Sequence, residues 1–156
     1  MDRVPSALVV APYLRVQQAI YQGTRGWIGK RLAGTPTLLL TTVGRRTGKQ
    51  RTNALTYYRD GAAWVVVASN GGSDRGPGWL ANLVAQPNVV VQDGRRKREA
   101  AARVANPEER ARLWPLVNRN NKGLARVLHR GVRGRYDVYQ RRTKREIAVV
   151  VLTPND

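Results

Sequence analysis

The chain has 156 residues, with 28 Lys+Arg against 10 Asp+Glu for a formal charge of +18, and no cysteine. A length that suits one domain and a hydrophobic share of 42% exclude wholesale disorder, and the missing thiols exclude disulfides, thiolate zinc sites and cysteine nucleophiles. The cation excess predicts an anionic partner and leaves three kinds: nucleic acid, an anionic membrane surface, or a small ligand with several negative charges.

Residues 6–32 repeat Leu8, Tyr13, Leu14, Ile20, Trp27, Ile28 and Leu32 at helical spacing, with Arg15, Arg25, Lys30 and Arg31 as a basic face. Residues 1–35 therefore read as an amphipathic helical segment, interrupted near Pro12 and Gly23/Gly26. It lies across the core or touches anionic lipid. No apolar run reaches the roughly 18 residues of a membrane span. The stretch MDRVPSALVVAPY has no signal-peptide layout, so a cytoplasmic protein is expected, peripheral at the inner face of the membrane if it meets lipid.

From Thr35 the pattern changes to strand, and residues 36–156 read as one domain. PTLLLTTV (36–43) is apolar and β-branched, and RTNALTYYR (51–59) follows a charged stretch. An Asp60-Gly61 turn leads to AAWVVVAS (62–69), a strong hairpin signal. NGGSDRGPG (70–78) is a loop by composition, and WLANLVAQ (79–86) a short helix that Pro87 ends. NVVVQD (88–93) and RKREAAARVA (96–105) form a second hairpin across Asp93-Gly94. Asn106 then caps a helix that opens Pro107-Glu108-Glu109 and runs to about Val117.

Residues 118–145 hold ten Lys/Arg against one Asp. Leu124, Val127 and Leu128 predict a short helix there, and Tyr136 and Tyr139 lie three apart on another. EIAVVVLT (146–153) is the last strand. Hairpins with inserted helices argue against a doubly wound sheet and suit an antiparallel barrel or sheet with helices packed at its ends. The one histidine, His129, leaves no multi-histidine metal site, and no metal is expected.

The stretch GRRTGKQRTN (44–53) concentrates the charge. A Walker loop is excluded, because only three residues, where four are needed, separate Gly44 from Gly48, Gln50 follows Lys49, and a strand follows where a helix is required. An anion site is still favoured. Gly44 and Gly48 permit a tight turn with exposed N–H groups, and Arg45, Arg46, Lys49 and Arg51 surround it with donors. The same residues also read as a solvated hairpin tip.

Several spaced motifs add to this. Thr41-Thr42-Val43-Gly44-Arg45-Arg46-Thr47-Gly48-Lys49-Gln50-Arg51-Thr52-Asn53 fits TT.GR.(S/T)G..R.N. Ala68-Ser69 closes the next strand, Pro77-Gly78-Trp79 leads through Asn82-Leu83 to Pro87, and Glu108-Glu109-Arg110 leads to Trp114-Pro115. In that order they resemble the deazaflavin (F420)-dependent nitroreductase family, over residues 36–117 and the terminal strand. The resemblance implies an α+β, mainly β fold: a split β-barrel of about six antiparallel strands with peripheral helices.

It also implies coenzyme F420, an 8-hydroxy-5-deazaflavin whose phosphate, lactyl group and glutamate tail make it a small multiply charged anion. Arg45, Arg46, Thr47, Gly48, Lys49, Arg51 and Asn53 match the stretch that would hold the phosphate and tail. Leu55, Ala68, Ser69 and Asn70 would border the ring system, with Gly78, Trp79 and Asn82 across from it. Asn70 stands where many members carry Lys, and Gly78 where a larger apolar residue is usual. Tyr136 and Tyr139 match a Tyr-x-x-Tyr of nitroreductase members. They would wall the acceptor pocket, or serve as plain core residues of the closing helix.

The implied reaction is hydride transfer from the reduced cofactor to a small electron-poor acceptor: a quinone, enone or nitroaromatic. Ser69, Tyr136 and Tyr139 are the candidate catalytic residues, with Ser69 or Tyr139 donating to the developing anion. The rival readings are a split barrel that binds FMN, haem or a lipid without catalysis, and a basic nucleic-acid-binding module. Dispersed basic clusters and no recognisable reading helix speak against specific nucleic-acid binding. An anionic membrane surface would be met by the N-terminal helix and the basic 118–145 segment. Either a monomer or a homodimer is compatible with the sequence.

Overall fold

The computed structural model describes residues 36–119 and 135–155. The expected N-terminal helical segment, the helix around Leu124 and His129 lie outside these residues. β1 (Thr37–Val43), β2 (Gln50–Thr56), β3 (Tyr58–Asp60) and β4 (Ala63–Val67) come first, followed by a 3-10 turn (Asn70–Gly72) and α1 (Gly78–Ala85). After them come β5 (Asn88–Asp93), β6 (Arg96–Val104), α2 (Pro107–Arg119), α3 (Arg135–Arg141) and β7 (Val149–Pro154).

The strands form one antiparallel sheet of seven, one more than the six expected, in the order β2-β1-β5-β6-β7-β4-β3. The extra strand comes from 51–59, which is not continuous. It breaks at Tyr57, so that β2 lies on one edge of the sheet and β3 on the other. One residue thus joins the two edges, and the sheet must curl until they meet, which gives the split barrel its closure. Consecutive strand residues point to opposite faces, and here that places Tyr57 in one core cluster and Tyr58 in the other.

A carboxylate ties this seam. Asp93, at the end of β5, accepts hydrogen bonds from the Tyr57 hydroxyl at 2.9 Å and from Trp64 Nε1 at 3.1 Å. Both hairpins turn through a glycine in the left-handed region, Gly61 at φ 60° and Gly94 at φ 63°, a conformation that explains the Asp-Gly signal in each.

The inner cluster packs Leu38, Leu40, Val66, Val91, Val150 and Leu152 against Trp79 and Leu83 of α1. The outer cluster covers Val65, Val149 and Val151 with Leu113 and Val117 of α2 and Tyr136 of α3. α2 starts as the sequence predicts, with Asn106 Oδ1 accepting the Glu109 N–H at 2.8 Å. β7 starts later than expected, at Val149. Side chains capture the backbone of Ile147 just before it: its N–H donates to Gln140 Oε1 at 2.8 Å and its carbonyl accepts from Arg110 Nε at 2.9 Å.

Candidate functional site

The 44–49 turn is the tip of the β1–β2 hairpin, closed by the Val43–Gln50 pair. Its glycine amides are not free for an anion, which corrects the sequence reading. The Gly44 N–H donates to the Lys49 carbonyl at 2.7 Å, and the Gly48 N–H to the Gly44 carbonyl at 2.8 Å. Gly48 sits at φ 69°, and a Cβ on Gly44 would lie 2.8 Å from Thr47 Oγ1. The glycines make the turn possible, and the donors left over at the tip are side chains.

Those side chains have different fates. Arg45 is fastened to α1, with its backbone N–H and its Nη1 both donating to Asn82 Oδ1, at 3.2 and 3.0 Å. Asn82, only 6% exposed, donates in turn from Nδ2 to the buried Thr42 hydroxyl at 3.3 Å. Asn82 is a bracket that fixes hairpin tip to helix. Arg46, Lys49 and Arg51 are exposed, and among the described residues their side chains make no hydrogen bond or ion pair.

Beside this tip lies a cavity of about 1060 Å³, walled by the whole of β2, the 69–71 turn, the 75–79 approach to α1, and by Val67, Asn82 and Tyr136. Nine of the expected residues meet in that wall: Arg51, Asn53, Leu55, Ser69, Asn70, Gly78, Trp79, Asn82 and Tyr136. Arg45, Arg46, Thr47, Gly48, Lys49, Ala68 and Tyr139 do not line it. Ala68 is fully buried in the inner cluster, its N–H donating to the Ala148 carbonyl at 2.9 Å, so it backs the wall instead of bordering a ring. Sequence reasoning missed Gln50, Thr52, Arg75 and Gly76. Arg75 had a signal: it is the one cation between Ser69 and Trp79.

Gly78 leaves the wall open, since a Cβ there would meet nothing within 4 Å. Arg51 on β2, Arg75 on the loop and Ser69 all line the cavity, and the Ser69 hydroxyl makes no capping hydrogen bond to the turn that follows it. No cluster of His, Cys, Asp or Glu among those residues fits a metal ion.

Tyr136 is at once a core residue and part of the cavity wall. It is 3% exposed, belongs to the outer cluster, and still reaches the cavity wall. Its hydroxyl accepts from the Tyr58 hydroxyl at 3.3 Å, and its ring meets those of Tyr58 and Tyr139 edge-on with centroids 6.1 and 6.2 Å apart. α2 sets its position: Asn118 Oδ1 accepts the N–H groups of Tyr136 and Asp137 at 3.1 and 3.2 Å, capping α3 from a neighbouring helix. Tyr139 packs on the outer cluster under the Arg142 guanidinium, 5.7 Å from its ring centre.

The displaced ionisable groups stand apart from the cavity. The Arg112 guanidinium on α2 holds the Asp60 carboxyl below the usual carboxylate range through a hydrogen bond. Arg103 on β6 does the same to Glu109. These pairs join α2 to the strands and carry no chemistry.

The chain matches the F420H(2)-dependent quinone reductase family over residues 13–154. It is 46% identical over 143 residues to the F420H(2)-dependent quinone reductase Rv1261c of Mycobacterium tuberculosis, covering 90% of this chain and 89% of that protein. Among solved structures it is similar to a domain-swapped dimer, with a TM-score of 0.62 and 30% identity over 96% of this chain and 99% of the other. It also resembles the F420-H2 dependent reductase FDR-A, with a TM-score of 0.59 and 32% identity over 75% and 93%. The chain belongs to the F420H(2)-dependent quinone reductase family.

Proposed function

We propose that the protein is a reductase that uses reduced coenzyme F420 to reduce a quinone, with the cavity beside β2 as its active site. One observation supports this reading: a cavity of about 1060 Å³ is lined by two arginines, Arg51 and Arg75, together with Ser69. The cofactor fits these residues. The volume is at the upper end of the roughly 300–1,000 Å³ of small-molecule sites. Arg51 and Arg75 suit a phosphate and carboxylates, to which guanidinium binds in bidentate fashion. Arg46 and Lys49 at the adjoining tip extend the cationic field for the tail.

When bound, the reduced deazaflavin supplies a hydride and not single electrons. The protein's part is to hold and orient. Asn82 keeps Arg45 and the hairpin tip against α1. Leu55 and Trp79 give the wall apolar surface, and Gly78 leaves room at it. A quinone that accepts a hydride also needs a proton, which solvent supplies, and the Ser69 hydroxyl would donate a hydrogen bond to the developing anion. Tyr136 walls the acceptor side, and Tyr139 supports it from behind.

The acceptor is a small molecule, with enones and nitroaromatics as further electron-poor candidates. A homodimer is favoured by the domain-swapped neighbour and by edge strand β2, which pairs only with β1 among the described residues. Exposed Arg141, Arg142 and Lys144 favour an anionic lipid surface near the site, which flotation with phosphatidylglycerol vesicles tests.

The main experiment is a deazaflavin fluorescence titration followed by oxidation of the reduced cofactor with menadione. Saturable binding and turnover are expected. A Kd weaker than about 1 mM together with no oxidation overturns the proposal.

A further inference from the structure

The segment between α3 and β7 does more than connect them. Arg145 lies there, half-buried, and its guanidinium donates from all its nitrogens into the backbone of the Ser69 turn. Nε reaches the Ser73 carbonyl at 2.8 Å, Nη1 the Ala68 carbonyl at 3.2 Å, and Nη2 the Ser69 carbonyl at 2.8 Å. The Ser69 carbonyl also accepts the Gly72 N–H at 2.8 Å, so the oxygen behind the cavity-facing hydroxyl has two donors fixing it.

Neighbouring contacts tie the same turn. The Thr143 hydroxyl donates to Asp74 at 2.9 Å, and Asn70, held at φ 44°, donates from Nδ2 to the Arg75 carbonyl at 2.9 Å. Gly72 packs so closely on α3 that a Cβ would lie 2.8 Å from the Tyr139 carbonyl. Arg145 is itself anchored: its carbonyl accepts from Gln140 Nε2 at 2.7 Å, while Gln140 Oε1 accepts from Arg110 of α2 at 3.1 Å. A fork of fixed geometry can serve separate carbonyls in this way, and the single nitrogen of a lysine cannot.

We infer that Arg145 is a positioning residue for the reduction: it sets the Ser69 hydroxyl at the cavity wall without lining the cavity itself. This rests on the proposed hydride transfer, because it assigns Ser69 a place in that reaction.

The test compares wild type with R145K, R145M, S69A and the S69A/R145K double variant. Hydrogen exchange of the protein alone is the first readout. Amides of 68–76 should exchange about tenfold faster in R145K and R145M, while those of β4 and β7 keep wild-type protection. With reduced F420 and menadione, kcat of R145K should fall on the order of 100-fold, as expected when a reacting group is misplaced by about an ångström. KM for menadione should stay within about threefold of wild type, the pattern of an interaction made only in the transition state; KM for the cofactor does not discriminate, because Arg75 lies in the loosened turn. R145K should add little to S69A, since both act through one hydroxyl.

Unchanged exchange in 68–76 overturns the inference. So does faster exchange spread over β4 and β7, which marks a residue of the whole fold, and so do losses that add in the double variant. If wild type fails to oxidise the reduced cofactor, the proposed function falls, and the exchange measurement still decides whether Arg145 holds the turn.

Discussion

Two strands of the same sheet have opposite compositions. β7 carries Val149, Val150, Val151 and Leu152, all buried, and is paired on both sides, by β4 and β6. β2 carries Gln50, Arg51, Thr52, Asn53, Ala54, Leu55 and Thr56, none of them buried, and lines the cavity along its full length. β7 is laddered on both sides and edge strand β2 on one, and burial widens that difference: apolar area removed from water contributes about 25 cal/mol per Å², and β2 removes little. The strand that contributes least to stability is therefore free to present guanidinium, amide and hydroxyl groups to a ligand.

The largest effect that can break this comparison is a truncation in β7. Leu152→Ala leaves a cavity in the inner cluster and should cost about 2–5 kcal/mol, read as a lower urea midpoint at unchanged m. A cost below about 1 kcal/mol would mean that the centre of the sheet is as tolerant as its edge, and the contrast would fail. Next in size is the seam. Asp93→Ala removes the acceptor of the Tyr57 hydroxyl and of Trp64 Nε1, and should cost about 1–3 kcal/mol. Since Tyr57 joins β2 to β3, the loss should expose both edges to exchange before the centre.

At β2 the prediction reverses. Arg51→Ala should change stability by no more than about 0.5 kcal/mol. It should weaken cofactor binding roughly tenfold, the worth of one charge-assisted hydrogen bond near 1.4 kcal/mol. Equal losses of stability and affinity would show that β2 carries the fold as well as the ligand.

The sequence showed the two hairpins with glycine turns and the capped α2, because each is set by residues near one another in the chain. It also brought half of the cavity wall together, since β2, the Ser69 turn and α1 each carry a compact motif. The break at Tyr57 was not legible. No Gly or Pro interrupts 51–59, and only the distant pairing of β2 with β1 and of β3 with β4 separates the halves. Arg145 was hidden for another reason: it speaks to backbone carbonyls, which have no sequence, from within a basic run where one more arginine carries no signal. Asn82 lines the cavity, and what the sequence did not show is that its side chain also bonds Arg45 and Thr42.

The smallest effect belongs to the ion pairs that hold α2 to the strands. Asp60 and Glu109 have folded-state pKa values below their ordinary 3.8 and 4.5, because Arg112 and Arg103 hydrogen-bond their ionised forms. A lowered carboxyl pKa means that the unfolded chain binds the proton first as pH falls. The stabilisation is therefore fully present above the ordinary values and is lost as pH drops through them toward the folded values. The arginines stay charged throughout, their own pKa values being raised by the same bonds. All four groups are near the surface, so screening keeps the effect small. Many carboxylates titrate in this window and the chain carries +18, so the slope of wild type alone proves nothing. The difference from an Asp60→Asn/Glu109→Gln double variant isolates it: wild type should be the more stable at about pH 7, and the gap should shrink progressively as pH falls below 4.5 and 3.8. Parallel profiles would remove these pairs from the account of how α2 is held. Raised salt should shrink the gap at neutral pH, and it should leave the Leu152→Ala loss in place, because apolar burial is not screened.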